Sequence, residues 1–405
     1  MKLKDIPSNY SYIWKDSISE ISAQTWAEIF GTSVIKGYNF YKAADITSFS
    51  NVRFHYLCIY NKNRIKAIVA CYTYKIDLKD LSKSSAIQWI INKIRRFFFT
   101  DFLCFKTFVI GSYPATCEHF IGFLPCLSES EKIIISNIIN ISIKKKAHEE
   151  KTGIVFVKDV RSRYYTEVAS ILSSDYTFVS SFPTNLIPII TTYPYPMALK
   201  KKNRKRVKIY QVKFNNSFLW EVSDECDKYI PVFYKLYRNV LNVAKNKFET
   251  LTEDFYKNLY RNISQSMFFL IARDKKTSEI RLIELIIVEK NKLIPLYLGI
   301  KYKDDDTKVL YLNVIFKTIE IATENHKEIV DFGQTSYYPK TMSGTFAEDI
   351  LYGFYAPNKI VNYILKHTIG KIILPAIIPN NVYQKETIKT YKTYMVSNGI
   401  NIINI

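Results

Sequence analysis

The chain has 405 residues, 48% hydrophobic and 15% aromatic, with 57 Lys and Arg against 37 Asp and Glu for a net charge of +20. This length and apolar content fit a folded protein of two domains and exclude a disordered one. Its 11 glycines form no GxGxxG and no GxxxxGK followed by Ser or Thr, which excludes the common dinucleotide-binding loop and the P-loop.

The positive surplus draws phosphate-rich partners, whether nucleic acid, an anionic membrane or a phosphorylated co-substrate, or it reflects a lysine-rich codon bias. Cys58, Cys71, Cys104, Cys117, Cys126 and Cys226 form no CxxC pair and no zinc-type Cys/His spacing. No metal site is expected. Scattered single cysteines suit a reducing compartment. MKLKDIPSNYSYIW has no apolar signal-peptide core, and no run of about 18 apolar residues is present. These features predict a cytoplasmic protein.

In chain order, helical periodicity appears at Ser19–Phe30. Two strand-like runs follow, Arg53–Tyr60 and Ile65–Lys75, joined by a polar turn as a hairpin requires. The stretch Leu78–Cys104 is amphipathic and basic and carries Phe97–Phe99 in a row. It reads either as an excursion packed on the domain or as a surface that meets lipid or an acyl chain. A strand at Lys106–Gly111, a helix at Ser128–Lys146, a strand at Gly153–Val157, a helix near Tyr164–Leu172 and a strand at Tyr176–Ser181 complete the first half.

Phe182–Pro196 carries four prolines and reads as a linker. Seven of the nine residues Lys200–Lys208 are basic, and they read as more linker or as a grip on phosphates. Helical patterns follow at Asp227–Lys247 and at Thr252–Ser264, where Thr252 precedes Glu253 and Asp254 as a cap precedes an acidic first turn. Strands are predicted at Met267–Arg273, Ile280–Glu289 and Leu293–Ile300, a helix at Val309–Glu324 and a strand at Ile329–Phe332. Asn358–Ile378 is mixed, and the tail to Ile405 has no clear pattern. The expected domains are 1–190 and 191–375, with 376–405 as a tail. Both halves run helix, hairpin, strand, helix, strand, which gives an α+β fold with mixed, mostly antiparallel sheets flanked by helices.

That order, with MALKKKNRKRVKI (197–209), FYKLYRNVLNVAKNKFETLTEDFYKNL (233–259), LYLGI (296–300) and VDFGQTSYYPKTMSGTF (330–346), resembles the GNAT acyltransferase superfamily. The likeness is to its tandem form, the Fem-type aminoacyltransferases of peptidoglycan synthesis and related tandem acetyltransferase-domain proteins. The resemblance implies two GNAT-like domains. The first supports the acceptor side and the second carries the chemistry. The implied reaction moves an acyl or aminoacyl group from a thioester such as acyl-CoA, or from aminoacyl-tRNA, directly to an amine. The acceptor would be a small molecule, a peptide or a peptidoglycan precursor. No tightly bound cofactor is implied, only the co-substrate. The chain departs where GNAT enzymes place a glycine-rich turn before the long helix, since KYKDDDTKVLYLN (301–313) has three aspartates and no glycine.

Direct transfer needs a proton acceptor, a polarised carbonyl and tight positioning, with no nucleophile triad. By resemblance Lys340 matches an active-site lysine that contacts the acyl group or phosphates. Asp331, at a strand end, either holds or deprotonates an amine or caps a turn. Glu284 interrupts the apolar strand RLIELIIV, and alternation puts it on the face of Leu282 and Ile286, which favours a buried carboxylate with a raised pKa. Gln334, Tyr337 and Tyr297 are candidate substrate-binding side chains. Lys308, near a helix N-terminus, and Arg204 and Arg206, in the basic run, are candidates for holding co-substrate phosphates. The competing reading is a non-catalytic basic protein that binds nucleic acid or anionic membrane on the same scaffold.

Overall fold

The computed structural model of the chain describes residues 6–402 except 78, 80, 81, 83, 98, 99, 101, 115, 245–248, 303, 335, 336 and 374–381. At 304, 305 and 337 it describes the backbone. Phe98 and Phe99, the expected helical end at Lys245–Lys247 and the end of the mixed stretch therefore lie outside the described residues.

The strands of the first half are β1 (Tyr10–Lys15), β2 (Arg53–Asn61), β3 (Arg64–Asp77), β4 (Cys104–Ile110), β5 (Ile121–Phe123), β6 (Ile154–Arg161) and β7 (Thr177–Ser180). Its helices are α1 (Ala23–Phe30), α2 (Tyr38–Asp45), α3 (Ser85–Phe97), α4 (Glu129–Glu149) and α5 (Tyr165–Ile171). The second half has β8 (Thr184–Pro188), β9 (Phe218–Ser223), β10 (Met267–Asp274), β11 (Ile280–Val288), β12 (Lys292–Ile300), β13 (Ile329–Asp331), β14 (Phe346–Glu348) and β15 (Ile350–Tyr355). Between them run α6 (Lys201–Ser217), α7 (Ile230–Val243), α8 (Glu253–Ile263), α9 (Asp304–Glu324), α10 (Tyr337–Met342), α11 (Lys359–Ile372) and α12 (Lys385–Ser397).

Caps place several helices where the sequence predicts them. Ser128 and Glu131 form a reciprocal capping box at α4, and Thr252 accepts the Phe255 amide at α8. The predicted hairpin closes with Asn61 opposite Arg64, and Lys62 takes the turn's positive φ of 53°.

The chain forms two compact units. The first spans 1–181, 245–251 and 350–376, around a sheet ordered β1-β2-β3-β4-β6-β15-β7, with β5 beside β3. The second spans 182–244, 252–349 and 377–405, around a sheet ordered β14-β8-β13-β12-β11-β10-β9. Among the described residues each sheet is mostly antiparallel with one parallel pair, β4–β6 in the first and β12–β13 in the second.

The units differ from a linear division at residue 190. The proline-bearing stretch is no linker: it holds β8, fully buried between β13 and β14. Proline is tolerated because Pro183 precedes the strand and Pro188 ends it. The basic run is no linker either. It forms the first turns of α6, which buries Asn203, Val207 and Phe214 and leaves the lysines outward. Residues 350–372 join the first unit, where β15 lies between β6 and β7. The supposed tail carries α12, whose Tyr391 and Met395 pack with Phe346 and Tyr383 in the second unit.

In the second unit α7 packs directly on β12 at Gly299. A Cβ there would meet Leu236 Cβ at 2.8 Å, the Tyr237 amide N at 2.9 Å and the Phe233 carbonyl O at 3.0 Å. Gly299→Val should therefore force helix and sheet apart and cost about 1–3 kcal/mol. Thermal melting should register this as a fall of several degrees, and an unchanged melting temperature would contradict the packing.

Candidate active site

The second sheet opens where its parallel pair parts. β13 pairs with β12 only through Lys292–Ile329 and Leu293–Val330, while β12 runs on to Ile300. A bulge sits at the parting point, where Leu285 faces Tyr297 and Ile286 faces Pro295. Pro295 offers no N–H to a ladder, so regular pairing fails there. Leu296, Tyr297 and Leu298 are half-buried, between buried Leu293–Pro295 and buried Gly299–Ile300. These features describe a wedge in the strand pairing, between the end of β13 and the middle of β12.

The loop after β13 is fastened on both sides. Asp331 Oδ1 accepts from the Thr184 hydroxyl at 2.7 Å and from the Gly333 amide at 3.1 Å, so the carboxylate caps the turn. Gly333 takes φ 65°, and a Cβ there would meet nothing within 4 Å, so the backbone conformation selects glycine. Buried Asn185 of β8 donates its side-chain amide to the Gly333 carbonyl at 2.9 Å, and its main chain pairs with Phe332 and Gly333. Gln334 donates to the Phe182 carbonyl at 2.6 Å.

Lys340, expected in a polar loop, lies instead on the short helix α10 and is buried, at 7% exposure. Its ammonium donates to the carbonyls of Phe332 at 2.6 Å, Gln334 at 2.9 Å and Gly333 at 3.3 Å. In this arrangement the lysine draws α10 back onto the end of β13.

Glu284 lies on the α9 side of β11, as alternation predicts, and is 6% exposed. Burial pushes its carboxyl up to about 7, while the Thr318 hydroxyl and the Lys340 charge pull it down. Thr318 Oγ1 is 3.0 Å from Glu284 Oε2 and 2.9 Å from the Val314 carbonyl. The hydroxyl has one proton. It donates to ionised Glu284, or donates to Val314 and accepts from protonated Glu284, so both charge states find a partner.

Asp331 at the end of β13, Gln334 in the loop and Lys340 on α10 thus fasten one segment, and Lys340 acts electrostatically on Glu284. Tyr297 pairs across the ladder with Leu285 rather than Glu284, so it lies on the opposite face, edge-on to Tyr237 and Tyr256. The Tyr337 side chain lies outside the described residues. Lys308 sits over the Tyr210 ring at 5.7 Å. Arg204 donates to the carbonyls of Met197 and Leu199, which fastens the start of α6, and Arg206 is half-buried on the same helix. The sequence reading missed Thr184, Asn185 and Thr318. The first two sit among prolines, and nothing in a helix buried on most sides marks Thr318 before β11 is placed beneath it.

The resemblance in sequence implies a phosphate-bearing donor at the start of α9, and the residues there fit it poorly. Asp306 in the first turn of α9 places Oδ2 3.2 Å from Nη1 of Arg281, which is 1% exposed. A carboxylate in that first turn repels a phosphate, although Nε and Nη2 of the guanidinium are buried without a hydrogen-bond partner among the described residues. Among the described residues no cluster of His, Cys, Asp and Glu could hold a metal ion, and no helix is long and apolar enough to cross a membrane.

No protein-family model and no curated protein matches the chain. Solved structures do match. FemX aligns over 88% of this chain and 100% of its own, at 12% identity and a TM-score of 0.51. The fold is the expected α+β one of two GNAT-like domains, and it is shared with FemX. The C-terminal domain of a putative lysylphosphatidylglycerol synthetase from Agrobacterium fabrum covers 90% of this chain and 100% of its own, at 8% identity and a TM-score of 0.49. A tandem GNAT protein of the clavulanic acid pathway covers 86% and 99%, at 6% identity and 0.46.

Glu284 gives the site a stability signature. Its folded pKa, about 7, exceeds the ordinary 4.5, so the folded state binds more protons between those values. Stability contributed by the protonated form is present at pH 4–5 and is lost as pH rises through 7. Glu284→Gln should match wild type in urea unfolding at pH 5 and exceed it by on the order of 3 kcal/mol at pH 8. Parallel pH profiles for the two proteins would refute a buried, titrating Glu284.

Proposed function

We propose that the chain is an N-acyltransferase whose second unit moves an acyl or aminoacyl group directly to an amine. The observation that carries this is a buried carboxylate with a pKa of about 7 in the unit whose parallel strands part. Such a group is half ionised at neutral pH, which suits it to take a proton and return it.

In this reading the donor's acyl end lies in the wedge beside β12. The acceptor loses a proton to Glu284, and its nitrogen attacks the acyl carbon. The new C–N bond forms, the ester C–O or thioester C–S bond breaks, and Glu284 returns the proton to the leaving oxygen or sulfur. Lys340, Asp331 and Gln334 act as positioning residues that keep the loop in place, and Lys340 also sets the charge that Glu284 feels. The first unit serves the acceptor, whether a small molecule, a peptide or a peptidoglycan precursor.

Between the two donor classes, Asp306 on Arg281 weighs against a coenzyme A pyrophosphate at the start of α9 and favours aminoacyl-tRNA. The exposed lysines Lys201, Lys205 and Lys208, at i, i+4 and i+7 on α6, supply a basic stripe for its phosphates.

The test presents the full chain with aminoacylated bulk tRNA or acetyl-CoA, together with a mixture of primary amines. Discharge of aminoacyl-tRNA is expected, rising with pH through about 7 and falling at least about a hundredfold in Glu284→Gln. An equally active Glu284→Gln with the same pH profile would remove the proposed base. Efficient transfer from acetyl-CoA would overturn the donor assignment alone.

Binding supplies a separate check on the stripe. Reversing Lys201, Lys205 and Lys208 to Glu should weaken tRNA binding and flatten the slope of log K against log salt by about 2–3. An unchanged slope would place the phosphate contacts elsewhere.

A further inference from the structure

Helix α3 is apolar on two sides. Its inner side holds Ile91, buried, with Ile87 and Ile94 half-buried. Arg95 pins that side to the end of β3, donating to both oxygens of Asp77 at 2.6 and 2.8 Å and to the Phe102 carbonyl. The outer side carries Ala86, Trp89, Ile90, Lys93, Arg96 and Phe97, all exposed and spaced as one helical face.

A solvated face is normally polar. Here Trp89 is 62% exposed, Ile90 49% and Phe97 63%. Single exposed apolar side chains need no explanation, but three along one stripe do. The polar members of the stripe are cations stacked on its rings: Lys93 Nζ lies 5.0 Å from the Trp89 ring and Arg96 Cζ 5.7 Å from Phe97. No acidic residue occurs from Ser84 to Phe97.

We infer that the outer face of α3 docks on an anionic lipid surface. The helix lies in the plane of the headgroups, with Trp89, Ile90 and Phe97 entering the acyl boundary and Lys93 and Arg96 on the phosphates. A basic helix with an aromatic ridge has the composition of an interfacial helix, and tryptophan favours the boundary between apolar and wet layers. Charge decides between this occupant and a second copy of the chain. Two such faces in a symmetric pair would set Lys93 and Arg96 against their own copies, with no acid on either helix to neutralise them. A sheet of anionic headgroups supplies the complement. The inference stands apart from the proposed chemistry, since α3 belongs to the first unit.

The test is flotation of the purified chain with phosphatidylglycerol–phosphatidylcholine vesicles and with pure phosphatidylcholine vesicles. The wild type should float with the anionic vesicles alone, less so as salt rises, with a blue shift in tryptophan emission. Trp89→Ser with Phe97→Ser should lose at least about tenfold in affinity while its circular dichroism and melting temperature stay unchanged, because both side chains face outward. Lys93→Glu with Arg96→Glu should abolish flotation. Equal binding by the Trp89/Phe97 variant would overturn the inference, since diffuse positive charge would then account for the attraction. A wild type that ignores anionic vesicles would overturn it too. So would a dimer in sedimentation that the Trp89/Phe97 variant dissociates.

Discussion

A buried ammonium tolerates only a complete set of acceptors, because leaving water costs several kcal/mol unless each proton finds an oxygen. Lys340 meets that demand with the carbonyls of Phe332, Gly333 and Gln334. The three carbonyls must face one point, which fixes the chain's path directly after β13. Asn185 fixes the same segment from the β8 side. Held by both, β13 cannot follow β12 beyond Leu293, and the wedge in the second sheet stays open. The same charge partly offsets the desolvation of Glu284, so one lysine shapes the opening and tempers the carboxyl behind it.

The legible parts of the fold were those specified locally. The β2–β3 hairpin, α4, α8 and the strands β10 to β12 each combine periodicity with a turn or cap a few residues away. Glu284 was legible for the same reason, as a carboxylate inside an apolar run whose alternation names its face. The segments misread were those whose partners lie far along the chain. β8 pairs with residues about 140 positions later, and prolines at its ends mimic a linker. The basic run of α6 hides a helix because Val207 and Phe214 alone mark its inner side.

Side-chain roles followed the same rule. Asp331 was left between capping a turn and handling an amine, and Thr184, 147 positions away in sequence, resolves its geometry. Lys340 was singled out by resemblance, yet its bonding partners are the main chain of the loop before α10. The fold is shared with FemX at 12% identity, and such distance preserves a scaffold more readily than a site. The start of α9 illustrates this, for it carries Asp306 on a buried arginine in place of a glycine turn.

The order of strands has a consequence for synthesis. β8 follows β7 in the chain but pairs with β13 and β14, while β15 follows β14 but lies between β6 and β7. A nascent chain therefore emerges from the ribosome with a vacant slot in its first sheet, which stays vacant until residue 355 has been made. Meanwhile β6, buried along its whole length in the finished protein, presents an unpaired edge. Such an edge invites pairing with other chains during the interval, so folding must trail translation by most of the second unit. A chain cut at residue 190 would keep that slot permanently, and neither half is a natural piece for separate expression.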